Sequence, residues 1–177
     1  MHWRIVVIGC SGSGKSTMAR WLEERGWARL ELDAIHHGPG WTQRPQEQVR
    51  SDVTAFLCDH ARWVIDGNYA PLRDLTWPEA DTILWLDPPR HSVLRQVTWR
   101  TLRRTLLREE LWNGNREPLS NLTSLDPERS IIAWAMATMN RYRAEYFELM
   151  ARGEPAGARW IRVRSRAEAQ AFLDSLS

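Results

Sequence analysis

The chemistry of this chain concentrates in eight residues. Gly9-Cys10-Ser11-Gly12-Ser13-Gly14-Lys15-Ser16 matches the spacing G-x-x-x-x-G-K-[ST]. In such a loop the glycines let backbone amides close on phosphate oxygens, and the helix that follows adds its partial positive charge. Lys15 is the only lysine of the chain, against 23 arginines. An ammonium on a flexible stem fits inside a loop wrapped on phosphates, where a planar guanidinium fork does not. Ser16 brings a hydroxyl to the position that ligates Mg²⁺, and Thr17 follows it at the start of the helix. Cys10 lies inside the loop near that helix N-terminus, which favours a thiolate; it reads first as a filler position, the other reading being that its alkylation or oxidation blocks nucleotide binding.

Three aspartates follow short apolar runs: Asp33 after Leu30 and Leu32, Asp66 after Trp63-Val64-Ile65, and Asp87 after Thr82-Ile83-Leu84-Trp85-Leu86. In an open parallel sheet, ligands bind beyond the carboxyl ends of the strands, so the three carboxylates and the glycine loop are expected on one edge. Asp87 reads as the carboxylate near magnesium, direct or through water. Asp33 is placed to accept or orient the proton of an acceptor hydroxyl; as a plain cap it would be unremarkable. Asp66, with Asn68 and Tyr69 after it, is expected to hold the acceptor, the alternative being an Asx-turn. His36 and His37 read as a surface loop, with no second cluster at metal-ligand spacing.

Positive charge for a phosphoryl group could come from Arg100, Arg104 and Arg108 on one helical face, with Arg103 beside them, from Arg116, and from Arg141 and Arg143 on a later helix. Singly, each also fits a solvated surface. The polar stretch Trp112-Asn113-Gly114-Asn115-Arg116-Glu117-Pro118 between two helices reads as part of a lid at about 108–126.

The elements that must position these groups alternate between strand and helix, which predicts a parallel sheet covered on both faces. Strands are expected at 3–8, 28–33, 63–65, 82–86 and 159–164. Helices are expected over 16–25 with Gly26 as the stop, 45–60 and 90–108. A further helix, starting at Asp126-Pro127, runs to about 152. That last pattern carries a stripe of Ile131, Ala135, Met139, Tyr142 and Tyr146. Ser165 and Glu168 form a capping box for the C-terminal helix.

With 177 residues, one domain over 1–177 is expected. A formal charge of +2 argues against nucleic acid as a partner. Cys10 and Cys58 supply neither a disulfide framework nor a metal pattern, which favours a reducing cytoplasm. The early apolar run is too short for a signal peptide, and no stretch is long enough to span a membrane. Most of the eleven tryptophans read as core or helix-packing residues.

The chain resembles the small P-loop kinases of the adenylate-kinase and shikimate-kinase group, and more closely their adenylate-kinase-like relatives described as DNA-topology-modulation proteins. The resemblance rests on residues 9–17, Leu32-Asp33 with Gly38-Pro39-Gly40-Trp41, Trp63 to Tyr69, Asp81 to Arg90, and Arg164-Ser165-Arg166. It implies a P-loop NTPase fold of the three-layer α/β/α class. The five-stranded parallel sheet would have order 2-3-1-4-5, with a helical lid between strands four and five. It implies ATP on residues 9–17 and adenine near Ser165-Arg166. One departure stands out: nucleoside-monophosphate kinases carry D-G-x-P-R after strand three, whereas this chain has Asp66-Gly67-Asn68-Tyr69-Ala70-Pro71 and its next arginine at Arg73.

The expectation is therefore a kinase using ATP and Mg²⁺. Lys15, Asp33, Arg104 and Arg116 act in catalysis, Ser16 and Asp87 at the metal, and Asp33, Asp66, Asn68 and Tyr69 at a small-molecule or nucleotide acceptor. It is expected to be a monomer or homodimer without membrane partners. The other reading is an ATP-dependent regulator with little or no kinase activity. A guanine-reading switch is excluded, because N-K-x-D needs a second lysine.

Overall fold

The computed structural model describes residues 3–176. Five strands form one parallel sheet in the order β2-β3-β1-β4-β5: β1 Arg4–Ile8, β2 Ala28–Glu31, β3 Trp63–Asp66, β4 Thr82–Leu86 and β5 Arg159–Val163. The predicted order and parallel sense are those observed. The helices are α1 Lys15–Glu23, α2 Leu32–His36, α3 Gln46–Asp59, α4 Arg73–Thr76, α5 Arg90–Leu106, α6 Ser120–Thr123, α7 Ile131–Arg152 and α8 Arg166–Asp174.

Successive strand residues face opposite sides, and β1 shows why the sheet needs cover on both. Ile5 and Val7 pack with Met18, Leu22, Phe172 and Leu173 of α1 and α8. Val6 and Ile8 pack with Val49, Val53 and Tyr146 of α3 and α7, together with Trp63, Ile65 and Trp85 of the neighbouring strands. Among the described residues, no helix is long and apolar enough to cross a membrane.

Two predicted boundaries move. β2 stops at Glu31, and Leu32-Asp33 opens α2 instead of closing the strand. Leu32 packs over Gly67 at the end of β3, where a side chain has no room: a Cβ there would lie 3.0 Å from that of Leu32. The chain therefore turns away, and Asp33 sits on the first turn of a helix. The long helix begins at Ile131, not at Asp126-Pro127. Asp126 accepts from the amide of Glu128 in a local turn, while Ser130 caps α7 through the amide of Ala133. The capping box of α8 holds on one side: Ser165 accepts from the Glu168 amide at 3.1 Å, but the Glu168 carboxylate reaches the amide of Arg164.

Candidate active site

The glycine loop links β1 to α1 on the carboxyl edge of the sheet. Gly12 explains one of its glycines. Its φ is +81°, and a Cβ would lie 2.9 Å from that of Val97, so α5 packs directly on the loop apex. Lys15 Nζ donates to the carbonyl of Cys10 at 3.1 Å. The Ser13 hydroxyl is buried and has no partner. Unpaired buried polar groups are costly, and a glycine-rich loop at a helix N-terminus with a buried hydroxyl and a folded-back ammonium fits an oxyanion ligand. The residues present therefore suit a nucleoside triphosphate and its magnesium.

Asp66 stands at the end of β3, next to the loop strand, and is 3 % exposed. Burial pushes its carboxyl above the usual value; the charge of Lys15 and a hydrogen bond with Ser16 act against that, and Asp33 adds to it. Its Oδ2 has no hydrogen-bond partner, and the guanidinium of Arg29 stands 3.9 Å away. Asp87 differs. Arg143 reaches its Oδ1 through Nε at 2.8 Å and Nη2 at 2.6 Å, and Arg162 reaches its Oδ2 through Nε at 2.9 Å. The expected metal role of Asp87 does not fit this geometry, because both oxygens are already engaged by guanidiniums. The carboxylate beside Ser16 is that of Asp66. Among the described residues, no three His, Cys, Asp or Glu side chains gather to hold a metal by themselves. Magnesium at a triphosphate does not require such a group, since phosphates and waters supply most of its ligands.

The arginines also sort differently from expectation. Arg100 Nη2 donates to the Ser11 hydroxyl at 3.0 Å, and its Nε has no partner. Burial, and then the like charge of Arg104, press against its protonated form; Glu117, Asp33 and Asp66 support it. Arg104 is bound at 3.1 Å to Glu117, whose side chain is 6 % exposed. Arg116 lies 3.9 Å from Glu110 on the surface. Of the predicted face, Arg100 is thus the guanidinium on the loop. Its spacing drew attention in the sequence, but nothing there separated it from Arg104.

Cys10 agrees with the filler reading. Its side chain packs with Val93 of α5 and Met139 of α7. Burial raises the thiol above its usual value and outweighs the lowering by Lys15. Packing under α5 and α7 thus opposes the thiolate that the helix end favours.

Two cavities open beyond the carboxyl ends of the strands, and the loop lines the first. One of about 590 Å³ is lined by Ser13, Gly14, Thr17, Trp21, Arg95, Arg164, Ser165 and Arg166, among others. It brings Ser165 and Arg166 to the same space as the loop, as the resemblance implied for adenine. The other, of about 500 Å³, holds Asn68 and Tyr69 with His36, Arg73, Trp134, Arg141, Tyr142 and Glu145. Asp33 lines neither cavity, and its negative charge acts on Asp66 and Arg100 and on His36 and Tyr69. Tyr69, raised by burial first, stays a neutral phenol. His36, predicted as loop surface, faces this cavity, its ring centroid 4.4 Å from that of Tyr69.

A cover closes over α2 from the connection between α5 and α7. Asn115 accepts from the Trp41 amide at 2.9 Å and donates to the Gly38 carbonyl at 2.9 Å. Asn113 donates to the carbonyls of Ala34 and His37, and Trp41 Nε1 donates to the Arg116 carbonyl at 3.0 Å. Trp41 and Trp112 meet edge to face. None of this pairing between 34–41 and 112–116 was visible in the sequence, where each stretch read as an independent loop.

Comparison with family profiles and with characterised proteins finds no match. Solved structures do match. Shikimate kinase from Acinetobacter baumannii, in complex with shikimate, superposes with a TM-score of 0.54 at 18 % identity, over 99 % of this chain and 91 % of that one. Shikimate kinase from Bacteroides thetaiotaomicron gives 0.54 at 12 % identity, over 99 % and 97 %. A sugar kinase from Janibacter sp. HTCC2649 gives 0.53 at 17 % identity, over 99 % and 92 %. With its glycine loop, its all-parallel sheet and these neighbours, the chain has the fold of the small P-loop kinases.

Proposed function

We propose that this protein is a phosphotransferase that moves the γ-phosphoryl group of ATP to a small acceptor, with Mg²⁺. One observation carries the reading: a phosphate-type loop lines one cavity together with Ser165-Arg166, and a second cavity opens at Asn68-Tyr69, just after the strand that ends in Asp66. A transferase needs that two-sided layout; a nucleotide switch needs only the first side.

The roles follow from the groups present. The 9–16 amides and Lys15 bind the β- and γ-phosphates. Ser16 and Asp66 hold the metal, with Asp66 taking the place first expected of Asp87. Magnesium, when bound, neutralises charge on the two terminal phosphates. Arg100, held at Ser11, meets the charge that spreads over the transferred group. Asp33 orients the acceptor hydroxyl and takes its proton as the oxygen–phosphorus bond forms and the bond to ADP breaks. The 108–126 segment acts as a lid, held at 34–41, and excludes water that would otherwise hydrolyse ATP.

The test is ADP release from Mg·ATP across nucleosides, nucleoside monophosphates, polyols and sugar acids. An acceptor that raises the rate well above basal hydrolysis supports the proposal. Lys15→Ala should lower that rate by about 10²–10³-fold while leaving the thermal transition in place. Tight ATP binding with flat turnover across the panel would instead favour an ATP-dependent regulator.

A further inference from the structure

The charge of this molecule is unevenly placed. Residues 90–108, which hold α5, contain six arginines and neither an aspartate nor a glutamate. With those six removed from the formal +2 of the chain, the rest stands at −4. The molecule is thus polarised, with α5 on its cationic side. Two of the six arginines are used inside, Arg100 at Ser11 and Arg104 at Glu117. Arg103 pairs with Glu109 at 3.0 Å on the outside. Arg90, Arg95 and Arg108 are exposed and have no carboxylate partner among the described residues.

The outer face of α5 also carries large apolar side chains. The helix buries Val93, Val97, Thr101 and Thr105. Trp99, Arg103 and Leu107 each stand two positions after one of the last three, about 200° round the helix. Trp99 is 67 % exposed, Leu107 67 % and Leu106 beside it 66 %. At that exposure they project from the surface instead of lining a groove. A tryptophan and two leucines among arginines match a partner that is anionic at its surface and apolar beneath.

We infer that the outer face of α5 docks on an anionic lipid surface, with Trp99, Leu106 and Leu107 entering the headgroup layer and Arg103 and Arg108 meeting lipid phosphates. Such a contact needs no spanning segment. It departs from the expectation of no membrane partner, which rested on segment length. A second copy of the chain fits less well, because a two-fold contact would set this arginine-rich helix against itself. A nucleic acid would use the arginines and stack on Trp99, but it would leave both leucines in water.

The experiment is flotation of the full chain, without nucleotide, on vesicles of phosphatidylcholine alone or mixed equally with phosphatidylglycerol. Binding is expected on the mixed vesicles, about tenfold or more weaker on the neutral ones, with release as salt rises to about 0.5 M. Trp99→Ala, and Leu106→Ala combined with Leu107→Ala, should each weaken partition by about tenfold. Arg103→Gln combined with Arg108→Asn should weaken it roughly fivefold; asparagine suits the φ of +49° at 108. Arg95, which lines the first cavity, is kept. All the altered side chains are exposed, so the variants are expected to keep the parent's thermal transition. Absence of binding to the mixed vesicles, equal binding to the neutral ones, or variants that float like the parent overturns the inference. So does a labelled single- or double-stranded oligonucleotide bound more tightly than the vesicles, or a dimer in sedimentation that Trp99→Ala abolishes. None of these readouts depends on phosphoryl transfer, so the kinase reading stands or falls separately.

Discussion

Two strand ends, one on each side of β1, carry buried aspartates with opposite fates. Asp66 after β3 is 3 % exposed and Asp87 after β4 is 8 % exposed. By burial and sheet position they are near equivalents. Asp87 faces guanidiniums from α7 and β5, which satisfy both its oxygens and tie the sheet edge to the long helix. Asp66 faces the lysine and serine of the loop, and one of its oxygens has no hydrogen-bond partner. A carboxylate left unsatisfied where it costs stability is the one available for chemistry; a carboxylate that is fully paired is a structural joint.

Exchanging each for asparagine tests that contrast, and turnover should show the largest effect. Asp66→Asn is expected to lower phosphoryl transfer by about 10²-fold. Asp87→Asn, measured on folded protein below its melting point, should lose far less. Comparable losses in the two variants would collapse the distinction.

Stability should run the other way. Asp87→Asn leaves two partly buried guanidiniums without a counter-charge. The expected loss is about 2–4 kcal/mol, reduced from the fully buried case because both arginines keep some solvent, or roughly 5–15 °C in Tm. Asp66→Asn should melt higher than the parent at pH 7. Burial holds the Asp66 pKa above its ordinary 3.8, so its ionised form destabilises the fold above that pH and the protonated form does not. The gain should shrink as pH falls and vanish below about 3.8. A Tm advantage that persists at pH 3 would assign it to packing instead of charge.

The smallest effect is at Cys10, which lies within reach of both Asp87 and Arg143 electrostatically. In the parent chain, iodoacetamide should modify the exposed Cys58 readily and Cys10 slowly. Asp87 raises the Cys10 thiol and Arg143 lowers it, so Asp87→Asn should speed alkylation of Cys10, read by mass spectrometry on the folded protein. An unchanged rate would mean that packing alone protects the sulfur.

These contrasts also show where the sequence stopped being informative. β-branched runs and glycine stops marked the strands, and their alternation with helices foretold a parallel sheet, because those features are local; the strand order came from the family resemblance alone. The boundary at Leu32 was not local: it depends on the absence of a side chain at Gly67, 35 positions later. The fate of Asp87 depends on arginines 56 and 75 positions away. The loop itself was legible because its chemistry needs consecutive residues. The second cavity was only half legible, since Asn68 and Tyr69 were found near the β3 turn while Trp134, Arg141 and Tyr142 come from the far helix. At Cys10 neighbours on α5 and α7 decide between the two readings that its helix-end position left open.

The isolation of Lys15 has an experimental consequence. A chain grown on ¹⁵N-lysine carries a single labelled ammonium, located at the carbonyl of Cys10 inside the phosphate loop. Its nuclear resonance needs no assignment and no mutation to separate it from others. Each change of bound phosphate, metal or proton at the loop would be read from one signal, so the arrangement that concentrates the chemistry in one side chain also supplies its own reporter.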